Sequence, residues 1–422
     1  MIGARWPCVS RLRAVRSALL ALSLLLPAPA LACGQTTHVW VSLEAIQHLP
    51  EGPIADLLAD PELRNILVNG TMFPDGGYAV GDDYGEMAHW EPLQQAYLAW
   101  IRDRYAGEYS GREAQEHVAF LLGLASHGMS DEVFDSLFYE RSRAYDPGHD
   151  EEVTSLDTAS DVTFARDVGG IPQPTSWAPF DELAAIYGDD LGYAVSADTL
   201  RSGQGFLYTA LAYTEWARTS EERLATFTAE FPWAAERMND ATVPGSPPRQ
   251  APVVAAYWQD LWLRLHADLA FDAPVITMEP PAGSFDHPMD HTTVEARIHL
   301  TFARGVDDDT FDRISVLDPD GQDAPVDVDH FYGDMSHTVL LRPRQDWADD
   351  TEYTVVVAPG LLNFDGQAST TEFRGTVSTA PPPPPDVARP IDPPAEEVCA
   401  CDAASGAAFT PLMLLAWRRR RC

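Results

Sequence analysis

At Phe271 the spacing of apolar residues changes, and that change divides what the chain can fold into. Before it, apolar residues recur every three to four positions over 92–106, 204–217 and 251–269, the period of a helix with one buried stripe. The longest such pattern, 112–143, predicts one or two long helices. After it, Val294, Ala296, Ile298, Leu300 and Phe302 alternate with polar residues, which predicts a strand with one apolar face. Residues 338–342 and 353–357 predict further strands, and Pro319-Asp320-Gly321 predicts a turn. The expectation is an all-α domain over 33–271 followed by an all-β sandwich over 272–380.

The ends of the chain read differently. Arg5, Arg11, Arg13 and Arg16 precede the apolar run 18–26 and Ala30-Leu31-Ala32, the pattern of a secretory signal peptide over 1–32. Residues 381–398 form a proline-rich acidic linker, stiff and extended. A tail over 399–422 holds Cys399, Cys401, an apolar span of about 15 residues and an arginine cluster, too short for a comfortable membrane span. The five cysteines are Cys8, Cys33, Cys399, Cys401 and Cys422, so no disulfide can staple the body, and stability must come from packing and bound metal. The net charge is −36, there is no lysine, and eight of the arginines sit in the leader and the tail. A body that acidic repels nucleic-acid phosphates and attracts divalent cations.

Cleavage after Ala32 would place the Cys33 amine five residues from His38. Amine, Cys33 carbonyl and imidazole can chelate one metal ion; a His38 exposed on an N-terminal helix is the other reading. His127, Asp131 and Asp135 stand at i, i+4 and i+8, on one inclined stripe of a helix. A His–carboxylate pair at i, i+4 can close on a metal, though such pairs are also common on helix surfaces. Met72-Phe-Pro-Asp75 precedes His89-Trp90, and Asp157 and Asp161 add two carboxylates at i, i+4.

Together Cys33-Gly-Gln-Thr-Thr-His38, Phe73-Pro-Asp75, His89-Trp90 and Ala119-Phe-Leu-Leu-Gly-Leu-Ala-Ser-His127 with Asp131 resemble the zinc-dependent phospholipase C/D family, and within it the glycosylphosphatidylinositol-specific phospholipase D branch. The resemblance covers about 33–170 by motif. It implies an all-α zinc-dependent phospholipase C-like domain whose cleft holds two to three Zn²⁺ ions. Carried over, the Cys33 amine and carbonyl, His38 and Asp131 bind one ion. Asp75, His89, His127 and Asp131 bind a second, with Asp131 bridging and Asp75 also accepting the proton of the attacking water. Where the family uses two histidines and an acid for a third ion, this chain offers Asp135, Asp157 and Asp161. An all-carboxylate set suits Mg²⁺, Ca²⁺ or Mn²⁺ better than zinc. His149 lies eight residues before Asp157, in an exposed-loop setting. Ligating imidazoles must be neutral, so activity should fall below about pH 6. Trp90 is read chiefly as core, with Tyr84 beside it as a candidate lining for the lipid.

The stretch Pro280-Pro-Ala-Gly-Ser-Phe-Asp-His-Pro-Met-Asp290, with Glu352-Tyr-Thr-Val-Val-Val357 and Asn363-Phe-Asp-Gly366, resembles the bacterial Ig-like module of surface proteins over 272–380. The tail resembles the myxobacterial C-terminal sorting signal, an ordinary weak membrane tail being the alternative. His287, His291, His330 and His337 have no ligand spacing and are read as surface residues. Asp318-Pro-Asp320-Gly321 and Asp307-Asp-Asp309 are read as turn chemistry and solvated charge. The expectation is an exported, surface-anchored monomeric hydrolase of phospholipids or glycolipids at a membrane surface, with no nucleic-acid partner. The alternatives are a single-strand-specific nuclease-like phosphodiesterase and a catalytically silent metal-binding adhesin.

Overall fold

Two helices with glycine at their crossing set the centre of the helical half. In the computed structural model, which describes residues 34–146, 155–171, 174, 177–332 and 336–381, helix α1 is Gln35–Ala45, α2 is Pro61–Met72 and α3 is Arg112–Val133. A Cβ on Gly123 of α3 would lie 2.1 Å from the Leu67 carbonyl oxygen, and one on Gly70 of α2 would lie 2.2 Å from that of Phe120. Only glycine lets these backbones approach so closely. Helix α3 is buried almost throughout from Ala114 on, with Val118, Phe120, Leu121, Leu122 and Leu124 at 0% exposure. Its last turns, carrying Ser126, His127, Ser130 and Asp131, are equally enclosed.

The expected long helix over 112–143 is interrupted. After Val133 the backbone widens into a π-turn, Phe134–Tyr139, and resumes as α-helix over Glu140–Tyr145. A π-turn has more residues per turn than an α-helix, so the i, i+4 register of His127 and Asp131 does not carry over unchanged to Asp135; such bulges concentrate at functional sites. Helices α4 (Ser155–Val168), α5 (Ala197–Ala217) and α6 (Pro247–Leu265) pack around this core.

The β half is a sandwich of two antiparallel sheets. One has strand order β1 (Val275–Glu279), β2 (Ile298–Phe302), β5 (Thr338–Pro343), β4 (Val326–His330), and the other β3 (Ile314–Leu317), β6 (Glu352–Val357), β7 (Phe373–Ser378). Ala296, Ile298, Leu300 and Phe302 enter the core between the sheets as the alternation predicted. The predicted strand starts late, however: Val294–Ala296 is a 3-10 turn.

All five residues of β2 are buried, including the polar-face residues His299 and Thr301. The reason is that the helical half covers that end of the sheet. Glu132 accepts from Ser336 Oγ (2.6 Å), His337 N (2.7 Å) and Thr338 N (3.0 Å). Arg304 Nη2 pairs with Asp260 at 3.0 Å, and Glu91 Oε2 accepts from Gly305 N at 2.7 Å. His337, expected on the surface, is therefore buried against Tyr257 (ring centroids 5.0 Å apart) and Glu91. His287 is buried too, its Nε2 donating to Ala296 O at 3.2 Å. Helical and β halves belong to one contact unit that ends at Pro381. Among the described residues no helix is long and apolar enough to cross a membrane. The signal peptide, linker beyond Pro381 and tail lie outside the described residues.

The α2–α3 crossing gives a direct test. Gly123→Ala forces a Cβ onto backbone that cannot rotate away, so the variant should lose roughly 1–3 kcal/mol, the usual cost of overpacking. Chemical denaturation should show the midpoint falling; an unchanged midpoint would show that the helices can separate without cost.

Candidate metal centre

Four segments converge on one buried cluster. His38 comes from the first turn of α1, Asp75 from the 3-10 turn Phe73–Asp75 that ends α2, and His89 from the end of the short helix Tyr84–His89. His127 and Asp131 come from α3. None of the five is more than 7% exposed. His38, Asp75 and His127 each offer an atom within 4.8 Å of the others, and so do His89, His127 and Asp131.

Hydrogen bonding fixes the imidazole tautomers. His127 Nδ1 lies 2.7 Å from Thr71 O, and His89 Nδ1 lies 2.7 Å from Gly85 O. A carbonyl only accepts, so both Nδ1 atoms carry protons. Ser130 donates its hydroxyl proton to Ser126 O at 2.6 Å and so accepts from His38 Nδ1 at 3.0 Å. All three Nε2 atoms are left with lone pairs, and all three face inward. His127 Nε2 and His89 Nε2 are 3.0 Å apart, and His38 and His127 stack at 3.8 Å between centroids.

Between these nitrogens stand carboxylates. Asp131 Oδ1 is 3.0 Å from His38 Nε2, and its Oδ2 is 3.3 Å from His89 Nε2 and 3.4 Å from His127 Nε2. Asp75 Oδ1 is 3.5 Å from His89 Nε2 and 3.8 Å from His127 Nε2. His38 Nε2, Asp75 Oδ1, Asp131 Oδ1 and Asp157 Oδ1 are buried without hydrogen-bond partners. Buried lone pairs from nitrogen and carboxylate cannot face one another unless something positive sits between them. Imidazoles held through Nδ1–H on oxygen acceptors, with Nε2 turned to a common point, are the usual dress of a metal site. The donor set therefore fits the expected metal.

Without metal, protons take the cation's place. Burial alone would lower the pKa of His89, but Asp75, Asp131 and the Gly85 carbonyl outweigh it and raise it to about 9. Burial, helped by neighbouring His38, lowers that of His127. Burial works to raise Asp131 but His38 and His127 overcome it and hold its carboxyl low. Burial and then the neighbouring Asp135, Asp131, Asp75 and Asp161 push Asp157 well above the usual carboxylate range. Proton competition at His89 thus reaches further into alkaline pH than the threshold near pH 6 expected of an ordinary imidazole.

The remaining acids divide. Asp157 faces the same cluster of carboxylates, and Asp135 accepts a hydrogen bond from Tyr332 in the β half. Asp161 is engaged otherwise: its Oδ1 accepts from Thr37 N (2.7 Å) and Thr37 Oγ1 (3.0 Å), its Oδ2 from Thr214 Oγ1 (3.0 Å). Those bonds make it an anchor for the start of α1. A Cβ on Gly34 would lie 2.1 Å from its own Cβ, which is why glycine precedes Gln35. Cys33 and His149 lie outside the described residues.

Sequence reasoning passed over Gln35, whose Nε2 donates to Asp75 Oδ2, and Ser130, Thr37, Thr214 and Tyr332. The position of Gln35 inside the first motif was the one available signal. Tyr84 is fully buried core, not lining. Trp90 is half-buried, its ring 5.0 Å edge-on to Tyr332, and Tyr78 lies 5.2 Å from the His89 ring. Aromatic side chains thus rim the cluster. The Asp318 turn is as expected, with Asp318 Oδ1 accepting from Asp320 N at 2.9 Å.

Comparison with known proteins adds two likenesses. Residues 272–376 match the bacterial Ig-like domain family. The phosphatidylinositol-glycan-specific phospholipase D of Rattus norvegicus is 30% identical over 164 residues, 36% of this chain and 19% of that protein. That of Mus musculus is 28% identical over 162 residues, 36% of this chain and 18% of its own length. The chain spans about a fifth of the length of these relatives. A solved structure of the N-terminal part of the bacterial S-layer protein SbsC aligns over 79% of this chain and 80% of its own at 13% identity, with a TM-score of 0.21.

Titration supplies a test with a definite sign. A histidine with a raised folded pKa stabilises fully below its unfolded value and loses that contribution as pH rises through the folded one. Metal-free protein should therefore lose stability between about pH 6.5 and pH 9. Zinc uptake at pH 7.5 must displace the His89 proton, releasing about one proton per chain. Calorimetry in buffers of different ionisation enthalpy measures this, and uptake without proton release would contradict the assignment.

Proposed function

We propose that the chain is a metal-dependent phosphodiester hydrolase acting on phospholipids or glycosylphosphatidylinositol-like lipids. The observation that carries the reading is the set of inward Nε2 lone pairs of His38, His89 and His127 gathered on Asp75 and Asp131. The similarity to phosphatidylinositol-glycan-specific phospholipase D supports the lipid substrate class. So does the aromatic rim of Tyr78, Trp90 and Tyr332, which suits an apolar chain or a sugar face.

In this reading His38 and Asp131, with the Cys33 amine and carbonyl, would hold one Zn²⁺. Asp75, His89, His127 and Asp131 would hold another. Asp157, with Asp135 beside it, offers an oxygen-rich position suited to Mg²⁺, Ca²⁺ or Mn²⁺. The bound ions would lower the pKa of a water and offset charge on the phosphoryl oxygens. Asp75 Oδ1 takes the proton of the attacking water, while Gln35 on Oδ2 keeps that carboxylate in orientation. Thr71 O, Gly85 O and Ser130 Oγ hold the imidazole rings in place. The proposal includes export as a monomer and anchoring at the cell surface, motivated by the leader and tail sequences. The net charge of −36 weighs against a nucleic-acid substrate.

His127→Ala removes an imidazole ligand of the second ion, beside the bridging Asp131. It should abolish tight metal binding and reduce hydrolysis of phosphatidylcholine micelles by at least about a thousandfold, while the β half stays folded. Elemental mass spectrometry and phosphate release measure this. Hydrolysis persisting in the variant, or wild-type turnover of single-stranded DNA alone, would overturn the reading.

A further inference from the structure

We propose that the β half completes the hydrolytic centre, with Tyr332 as a positioning residue whose phenol holds Asp135 at the rim of the His/Asp cluster. This rests on the hydrolase reading above. Tyr332 follows β4 by two residues, in the half that matches the Ig-like family, yet its hydroxyl donates to Asp135 Oδ2 on the π-turn of the helical half. Its ring packs edge-on to Trp90, the residue after His89.

The same part of the β half is tied down at a second point. Glu132, the residue after Asp131, accepts three hydrogen bonds from Ser336 and the backbone of His337 and Thr338. Within a wider interface that also meets Glu91, Asp260 and Tyr257, contacts from this part of the β half fall on Trp90, Glu132 and Asp135. Two of these adjoin metal-ligand candidates, and the third is a carboxylate of the cluster. These contacts bring the β half against the edge of the cluster itself.

Tyr332 is also poorly explained as packing. It is 41% exposed and takes no part in the sandwich core, so the β fold gains little from it. What it supplies is a neutral donor. Asp135 lies on the π-turn, close enough to Asp157 that the two carboxylates act on one another. An arginine at this point would fix the carboxylate but cancel its charge. A phenol fixes one oxygen by hydrogen bonding without adding a positive charge.

The experiment uses the full-length processed protein loaded with zinc, with phosphatidylcholine micelles as substrate. Tyr332→Phe keeps the ring on Trp90 and removes only the hydroxyl. It should lower kcat about 10- to 100-fold, the range for losing a supporting hydrogen bond at a metal site, with KM within about twofold and the thermal midpoint unchanged. Asp135→Asn should show a similar loss. Because the two act as a pair, the double variant should lose no more than the worse single one. An unchanged kcat in Tyr332→Phe, a lowered thermal midpoint with intact kcat, or losses that multiply in the double variant would each overturn the inference while leaving the hydrolase reading intact. Wild-type protein that neither retains zinc nor hydrolyses the micelles would overturn both.

Discussion

Three hydrogen bonds that touch no substrate determine what this centre can be. Thr71 O, Gly85 O and Ser130 Oγ each take an Nδ1–H, and in doing so they turn the lone pairs of His127, His89 and His38 toward one another. Once those protons are placed, the interior is crowded with electron pairs from nitrogen and carboxylate. It can be stable only around positive charge, supplied by metal or, failing that, by protons on His89 and Asp157. The high proton affinity of the metal-free cluster and its fitness for metal are therefore the same property.

The helical scaffold reads as a device for keeping those acceptors still. Thr71 sits on α2, beyond the glycine crossing with α3, and the crossing brings it within reach of His127. The Ser42 hydroxyl joins Thr71 Oγ1 (2.9 Å), Ser126 Oγ (2.6 Å) and His38 O (3.0 Å), linking α1, α2 and α3 through short polar groups at their closest approach. Small residues serve two purposes here. They allow the backbones to meet, and their hydroxyls satisfy what the meeting buries.

Much of the centre was legible in the chain itself. His38, Asp75, His89, His127 and Asp131 occur in short motifs because each is positioned by its own local element, a helix turn or a 3-10 turn. The π-turn that carries Asp135 was not foreseen, because it needs no special residue and leaves no composition signal. The burial of His287 and His337 was missed for a different reason, because neither lies on a face that strand alternation reports. His337 is covered by helical residues distant in sequence, Glu132 and Tyr257, while His287 is enclosed within the β half by Ala296 and Trp347. Asp161 was grouped with the ligands by its i, i+4 spacing, whereas Thr37 and Thr214, which occupy its oxygens, come from distant segments.

The docking of the β half follows from the same geometry. Glu132 is buried and its carboxyl is pushed up by that burial, opposed by the three donors of Ser336, His337 and Thr338. It cannot be left without them, because an unpartnered buried acid costs more than its hydrogen bonds contribute. Glu132 directly follows Asp131, so the helical half cannot present Asp131 to the cluster without also presenting Glu132 to its outer side. Something must cover that acid. The segment entering β5 supplies the donors Ser336 Oγ, His337 N and Thr338 N, and Tyr332, a few residues before it, reaches the π-turn. Placing a ligand at the end of a fully buried helix thus creates a polar site on the helix's next residue, and the β half is the partner that satisfies it.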